Sequence, residues 1–367
     1  MPALFTPLQL GGIELANRIV VSPMSQYSAE DGAVTDWHTL HYGGLSNSGA
    51  GLVVIESTHI NAQSRGTPAC LGLYTDEQQA VLQTLLATCR HRGSSKFGVQ
   101  LNHSGRKASQ TLPWAKVRGP LPADEGAWTT VSASALPFGN GYPVPHEPSV
   151  EELQTIKADY VASAKRALAV GFDVLEIHAA HGYFLHSFLS PLANKRDDQY
   201  GGSLENRMRY PLEVFEAVRA VWPRDLALGV KVSSTDWDEK GAGIDEAIAF
   251  VTELRSAGCD YVCMSSGATT ADTKVPVAPG YQTQFAAAVK QAVDIPVWAV
   301  GLIYEPVEAD RLIERGEADA VAVGRAFLDN PHWAWGAANA LGADVARPRP
   351  YLRAAPQVWP GAKSARS

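Results

Sequence analysis

The stretch Arg18-Ile-Val-Val-Ser-Pro-Met-Ser25 decides between two folds. Its first half is short, apolar and β-branched, as a strand buried on both faces must be. Its second half is the surprise for a doubly wound sheet, which normally places a glycine-rich phosphate loop after its first strand. Here Ser22-Pro-Met-Ser25 stands in that place, and neither GxGxxG at this turn nor GxxxxGK[ST] anywhere supports a dinucleotide or P-loop fold. Working outward, seven more runs of the same kind follow, at residues 51–56, 97–101, 174–178, 226–232, 261–264, 296–300 and 320–323. Between them, residues 76–91, 149–170, 204–222, 245–256 and 307–315 repeat apolar side chains three and four apart, the spacing of a helix face. Ser149 with Glu152 forms a capping box, Asp245 is placed to cap the helix after Gly243, and Gly171, Gly258 and Gly316 fall where helices should stop.

Strand–helix units in this order predict a single-domain (β/α)8 barrel over residues 1–367. The N-terminal dozen residues are expected to form a hairpin plugging the barrel bottom. Residues 102–148, after the third strand, are dense in Pro, Gly and Trp and too long for a plain connector, so they read as a lid over the barrel mouth. Residues 343–367 form a tail.

Composition narrows the function classes. Of 367 residues, 46% are hydrophobic and 19% charged, the balance of a folded globular enzyme. A net charge of −7 offers no electrostatic reason to bind nucleic acid or an anionic membrane. Cys70, Cys89, Cys259 and Cys263 form no CxxC pair, which argues against a disulfide framework or zinc ribbon and for a reducing compartment. The start, MPALFTPLQL, lacks the pattern of a signal peptide, and no apolar run approaches about 18 residues. The expectation is a cytoplasmic protein.

In barrels the chemistry gathers at the C-terminal strand ends. Gly301 after strand seven, with Gly324-Arg325 after strand eight, suits a phosphate: backbone N–H groups approach an anion where no Cβ intervenes, and the guanidinium forks onto its oxygens. A tight turn with a surface Arg is the plainer alternative. Strand four ends in His178-Ala-Ala-His-Gly-Tyr183. Two imidazoles three apart could be a metal pair, but the spacing is not that of a zincin and no third ligand is evident. They could instead donate to a carbonyl oxygen with Tyr183 supplying a proton, or simply pack.

The run from His178 to Tyr183, followed by Ser190-Pro-Leu-Ala-Asn-Lys-Arg-Asp-Asp-Gln-Tyr-Gly-Gly-Ser-Leu-Glu-Asn-Arg207, resembles the signature of the Old Yellow Enzyme family of FMN-dependent ene-reductases. Leu15-Ala-Asn-Arg-Ile19, Pro23-Met24, Gln100-Leu-Asn-His-Ser-Gly-Arg-Lys107 and Val323-Gly-Arg325 agree with it, and the resemblance spans residues 4–355. Gln26-Tyr27 and Tyr351-Leu-Arg353 resemble the bacterial branch that includes the xenobiotic reductases. The resemblance implies an FMN phosphate on Gly301, Gly324 and Arg325, with Gln100 at the pyrimidine side and Pro23, Met24 and Ser57 along the ring. It further implies a substrate oxygen held by His178 and His181, protonation by Tyr183, and NADPH or NADH as reductant at the same site. Ser25 stands where this branch usually carries Cys, and Lys231 where the family has Arg; the first is expected to tune the flavin potential, the second to weaken FMN retention. Arg353 is expected to reach a neighbouring subunit's site near Tyr27, implying a homodimer or dimer of dimers, and Lys107 is at most a rim contact. The substrate would be a small activated alkene. Two other readings remain: a flavin-binding barrel without turnover, and a Schiff-base lyase using Lys231.

Overall fold

The computed structural model describes residues 1–364; the last three residues of the tail, including Arg366, lie outside the described part. Two short strands open the chain, β1 (Leu8–Leu10) and β2 (Ile13–Leu15), and β3 (Ile19–Val21) follows. Helices and strands then alternate as α1 (Asp36–Ser46), β4 (Leu52–His59), α2 (Asp76–Arg92), β5 (Lys96–Asn102), α3 (Val150–Val170) and β6 (Val174–Ala179). Next come α4 (Phe184–Leu189), α5 (Leu204–Arg219), β7 (Ala227–Ser233), α6 (Ile244–Ser256) and β8 (Tyr261–Ser265). The chain continues with α7 (Thr283–Ala292), β9 (Val297–Val300), α8 (Pro306–Glu314) and β10 (Ala320–Val323). It ends in α9 (Arg325–Asp329), α10 (Trp333–Leu341) and α11 (Gly361–Ser364).

Strands β3 to β10 pair in parallel and close on themselves, β10 against β3, to give the expected (β/α)8 barrel. All the apolar runs read from the sequence are barrel strands, with ends shifted by a few residues at most. The capping box of Ser149 and Glu152 starts α3, and Gly171 ends it in the left-handed conformation at φ +98°. Asp245 does not cap α6: Gly243 holds the N-cap position, and Asp245 lies in the first turn, where a carboxylate still meets the positive end of the helix.

The hairpin β1–β2 closes the bottom. Its inward residues Leu8, Leu10, Ile13 and Leu15 pack on Val20, Leu52, Val174 and Trp298 inside the barrel. Trp298 stacks on Tyr261 with ring centroids 3.7 Å apart, which makes it a core residue of the barrel floor. Trp298→Ala is expected to cost about 3–5 kcal/mol, because so large a side chain leaves a void the barrel cannot collapse into. A urea midpoint within error of wild type would contradict this.

The long segment between β5 and α3 is irregular, with short 3₁₀ turns at Gly105–Lys107 and Ala123–Glu125 and isolated bridges joining Gln110 to Pro120 and Val131 to His146. Among the described residues, no helix is long and apolar enough to cross a membrane.

Candidate active site

At the C-terminal strand ends two cavities lie on either side of a short piece of chain. The larger, about 650 Å³, is lined by Pro23, Met24, Lys231, Gly301, Gly324 and Arg325, among others. The smaller, about 190 Å³, is lined by Ser25, Tyr27, Ser57, Lys107 and Tyr183, together with Phe138 and Tyr142 from the long insertion. His181 borders the first and Tyr183 the second, so the turn His181-Gly182-Tyr183 separates them. The Pro23-Met24-Ser25 segment spans the same divide.

The turn is held in a demanding shape. His181 sits at φ +59° and Gly182 at φ +70°. A left-handed non-glycine residue costs of order 1–3 kcal/mol, and such positions persist where neighbours over-determine them. Gly182 is obligatory, since a Cβ there would lie 2.4 Å from the Ala268 carbonyl oxygen. The His181 backbone N–H donates to Ser233 Oγ at 3.0 Å, and Lys107 Nζ donates to the carbonyls of His181 at 2.7 Å and Ala268 at 3.1 Å. Lys107 also lies 4.8 Å from the Tyr183 ring centroid, and burial, then the nearby Arg106, bring its pKa down to about 7. It is thus a strut under the turn that also lines the smaller cavity.

The three ring residues converge. His178 and His181 have centroids 5.1 Å apart, and Tyr183 lies 4.9 Å from His178 and 6.5 Å from His181. His178 Nδ1 accepts the Ala180 N–H at 3.1 Å, which leaves the ring proton on Nε2. His181 Nε2 lies 2.7 Å from Ser265 Oγ. Because that hydroxyl donates in turn to Gln282 Oε1 at 3.3 Å, His181 gives its Nε2–H to Ser265. One expected donor is therefore committed to the end of β8. Burial pushes both imidazole pKa values well below the ordinary histidine range, and Lys231 and Lys107 add to it, so both rings are neutral at neutral pH. Burial also raises the Tyr183 phenol, which keeps its proton.

The other expected residues divide. Ser57 Oγ is buried at the wall of the smaller cavity without a hydrogen-bond partner. Arg325 makes no ion pair among the described residues. A Cβ on Gly324 would lie 3.4 Å from Met24 Sδ, inside the larger cavity's wall. An open cradle, a free guanidinium and an orphaned hydroxyl suit a phosphate-bearing ring ligand that continues past the turn. Gln100 differs: its amide donates to Glu176 Oε1 at 2.7 Å on the adjacent strand and lines neither cavity. Lys231 is buried and faces the larger cavity, next to His178 in register. Arg353 sits exposed on the 3₁₀ turn Arg349–Ala354 and reaches neither cavity of its own chain.

The role of one buried carboxylate escaped the sequence reading. Glu56 bulges from β4, fully buried, and its carboxylate accepts the Gln26 N–H at 2.9 Å and the Tyr42 hydroxyl at 3.2 Å, which fixes the loop carrying Ser25 and Tyr27. A charged residue closing an apolar run was the available signal. Trp114 meets Tyr27 edge-on at 5.9 Å, and Trp128 is tied to the Gln63 carbonyl outside the cavities.

Comparison with known proteins agrees with this geometry. The family profile described as NADH:flavin oxidoreductase / NADH oxidase matches residues 3–343. An NADPH dehydrogenase of Geobacillus thermodenitrificans is 38% identical over 352 residues, covering 95% of this chain and 98% of that protein. One from Bacillus subtilis is likewise 38% identical, with the same coverage. Among solved structures, morphinone reductase in complex with tetrahydroNAD superposes with a TM-score of 0.77 at 28% identity, covering 95% of this chain and 93% of that one. The resemblance to Old Yellow Enzyme stands, and the lyase reading built on Lys231 falls. The chain belongs to the NADH:flavin oxidoreductase / NADH oxidase family and is an FMN-dependent oxidoreductase that draws its electrons from NAD(P)H.

Proposed function

We propose that the enzyme reduces C=C bonds conjugated to a carbonyl or nitro group. The observation behind this reading is that His181 borders the larger cavity and Tyr183 the smaller, with the buried neutral ring of His178, which lines neither, 5.1 Å from one and 4.9 Å from the other. Gly301, Gly324, Arg325 and Lys231 would hold FMN, with Pro23, Met24, Ser25 and Ser57 along its ring, and the bound cofactor would supply the hydride. His178 donates its Nε2–H to the activating oxygen of the alkene, and His181 does so by exchanging Ser265 for that oxygen. Both hydrogen bonds strengthen as negative charge gathers there. Tyr183 then gives its proton to the α-carbon, so the alkene gains one hydride and one proton and the phenol recovers its proton from solvent. Tyr27 and the insertion at 102–148 bound the substrate as wall and lid. With no separate nucleotide fingerprint in the sequence, NADPH or NADH and the alkene take turns in one site, a ping-pong cycle. Arg353 and the tail from residue 343 complete the site of a neighbouring subunit in a homodimer or dimer of dimers.

An anaerobic visible titration tests the reading. Bands near roughly 450 nm should bleach with NADPH and return with 2-cyclohexenone. Bands that bleach but never return with an enone or nitroalkene would leave an NAD(P)H oxidoreductase without ene-reductase turnover.

Lys231→Arg supplies a separate expectation. A planar fork places two donors where an ammonium offers one, so FMN affinity should rise about tenfold, roughly one charge-assisted hydrogen bond. Fluorescence titration of apoprotein with FMN reads it directly, and unchanged affinity would remove Lys231 from the cofactor's contacts.

A further inference from the structure

Behind the His181-Gly182-Tyr183 turn lies a buried group that the proposed chemistry does not use. His186, on α4, is 1% exposed, and its Nδ1 accepts the Gly182 N–H at 2.8 Å. A backbone N–H can only donate, so the proton of this ring sits on Nε2. That nitrogen faces Asp236 Oδ1 at 3.5 Å, and Asp236 is itself fully buried. The carboxylate gathers three loops: Ser190 Oγ donates to it at 2.6 Å, the Ala242 N–H at 2.8 Å, and Thr269 Oγ1 donates to Oδ1. Thr269 adjoins Ala268, whose carbonyl packs against Gly182 and shares Lys107 with His181. Arg106 NH2 closes the cluster on the Thr269 carbonyl at 2.7 Å.

We infer that His186, oriented by Asp236, is the positioning residue that holds the His181-Gly182-Tyr183 turn in its left-handed shape and thereby aims the donor and the acid at the substrate. Gly182 has no side chain to fix it, so its N–H is the handle by which the turn can be gripped. His186 touches neither cavity and grips the turn through its hydrogen bond to that N–H. The inference rests on the ene-reductase reading for its consequence, though not for its geometry.

Two variants separate the two nitrogens. His186→Asn offers an oxygen near the place of Nδ1 and can still accept from Gly182, whereas His186→Gln offers its amide near the place of Nε2 and can still serve Asp236. Reduced holoenzyme is mixed with 2-cyclohexenone in one experiment and with ferricyanide, which needs no proton delivered to carbon, in another. His186→Gln should lose about 10²-fold in the enone step, the size of effect a misplaced reacting group produces, while ferricyanide reoxidation stays at the wild-type rate. His186→Asn should recover most of the enone rate. Hydrogen exchange of the Gly182 amide in the full chain should quicken in His186→Gln and remain slow in His186→Asn.

Equal enone rates and equal amide protection in wild type and both variants would overturn the inference. So would parallel losses of FMN content and of both reoxidation rates, which would mark His186 as a general packing residue. If wild type itself fails to reduce the enone, the ene-reductase reading is lost; the amide exchange of the two variants then decides the positioning role alone.

Discussion

Tyr183→Phe lowers the rate of enone reduction by reduced enzyme by about 10²–10⁴, the range that general-acid help supplies, and leaves reduction by NADPH near its wild-type rate. The asymmetry follows from what the two half-reactions need. Taking up hydride requires no proton at carbon, whereas delivering it to an alkene leaves a carbanion-like α-carbon that must be quenched. Burial holds the Tyr183 proton in place at neutral pH. Phe keeps the ring and its edge contact with His178 and removes only the hydroxyl, so the change is chemical with little disturbance of packing. Stopped-flow traces for the two half-reactions, recorded separately, read the split. A Phe variant with an undiminished enone rate would move the proton donor to solvent or to another residue.

How much of this was legible in the sequence depends on how local each cause is. The barrel strands were legible because a parallel strand buried on both faces must be an apolar run, and little else in a soluble chain looks like 97–101 or 320–323. The ends of α3 were legible because a capping box and a left-handed glycine act within a few residues. Helix α1 was not: Asp-Trp-His-Thr-Leu-His-Tyr-Gly-Gly carries weak helix formers, and its order comes from burying His38, Tyr42 and Leu45 on the barrel. Helix α7 buries only Ala286 and Val289, too sparse a stripe to show a period. The site divides in the same way. The proximity of His178, His181 and Tyr183 follows from one strand end. The commitment of His181 to Ser265, of Gln100 to Glu176 and of His186 to Asp236 joins residues 50 or more positions apart, and only the closed barrel brings those partners together. Long-range polar pairing of this kind leaves no mark in a single sequence beyond a polar residue next to an apolar run.

His178→Ala should lower the enone step by about 10²–10³, the usual loss on removing one preorganised donor to a developing oxyanion. The pH behaviour distinguishes this role from that of an acid. Because burial depresses the His178 and His181 pKa values well below 6.5, neither ring gains a proton as pH falls through the usual histidine range, and the enone rate per folded enzyme should show no limb there. Stability should behave differently. Below about pH 6.5 an unfolded chain binds protons on these histidines that the native state refuses, so stability is full above that pH and falls as the pH drops further. His59, depressed to about 4, and His103, depressed to about 3, both by burial, act in the same direction. With each such group contributing up to about 1.4 kcal/mol per pH unit, four of them make acid unfolding steep while the chemistry of the surviving folded enzyme stays level. Single-turnover rates and chemical-denaturation midpoints measured on the same samples from pH 5 to 8 therefore part company. A rate that followed a protonation near 6.5 while the midpoint stayed flat would mean that the imidazoles act as charged acids, and the hydrogen-bond role assigned to His178 would have to be given up.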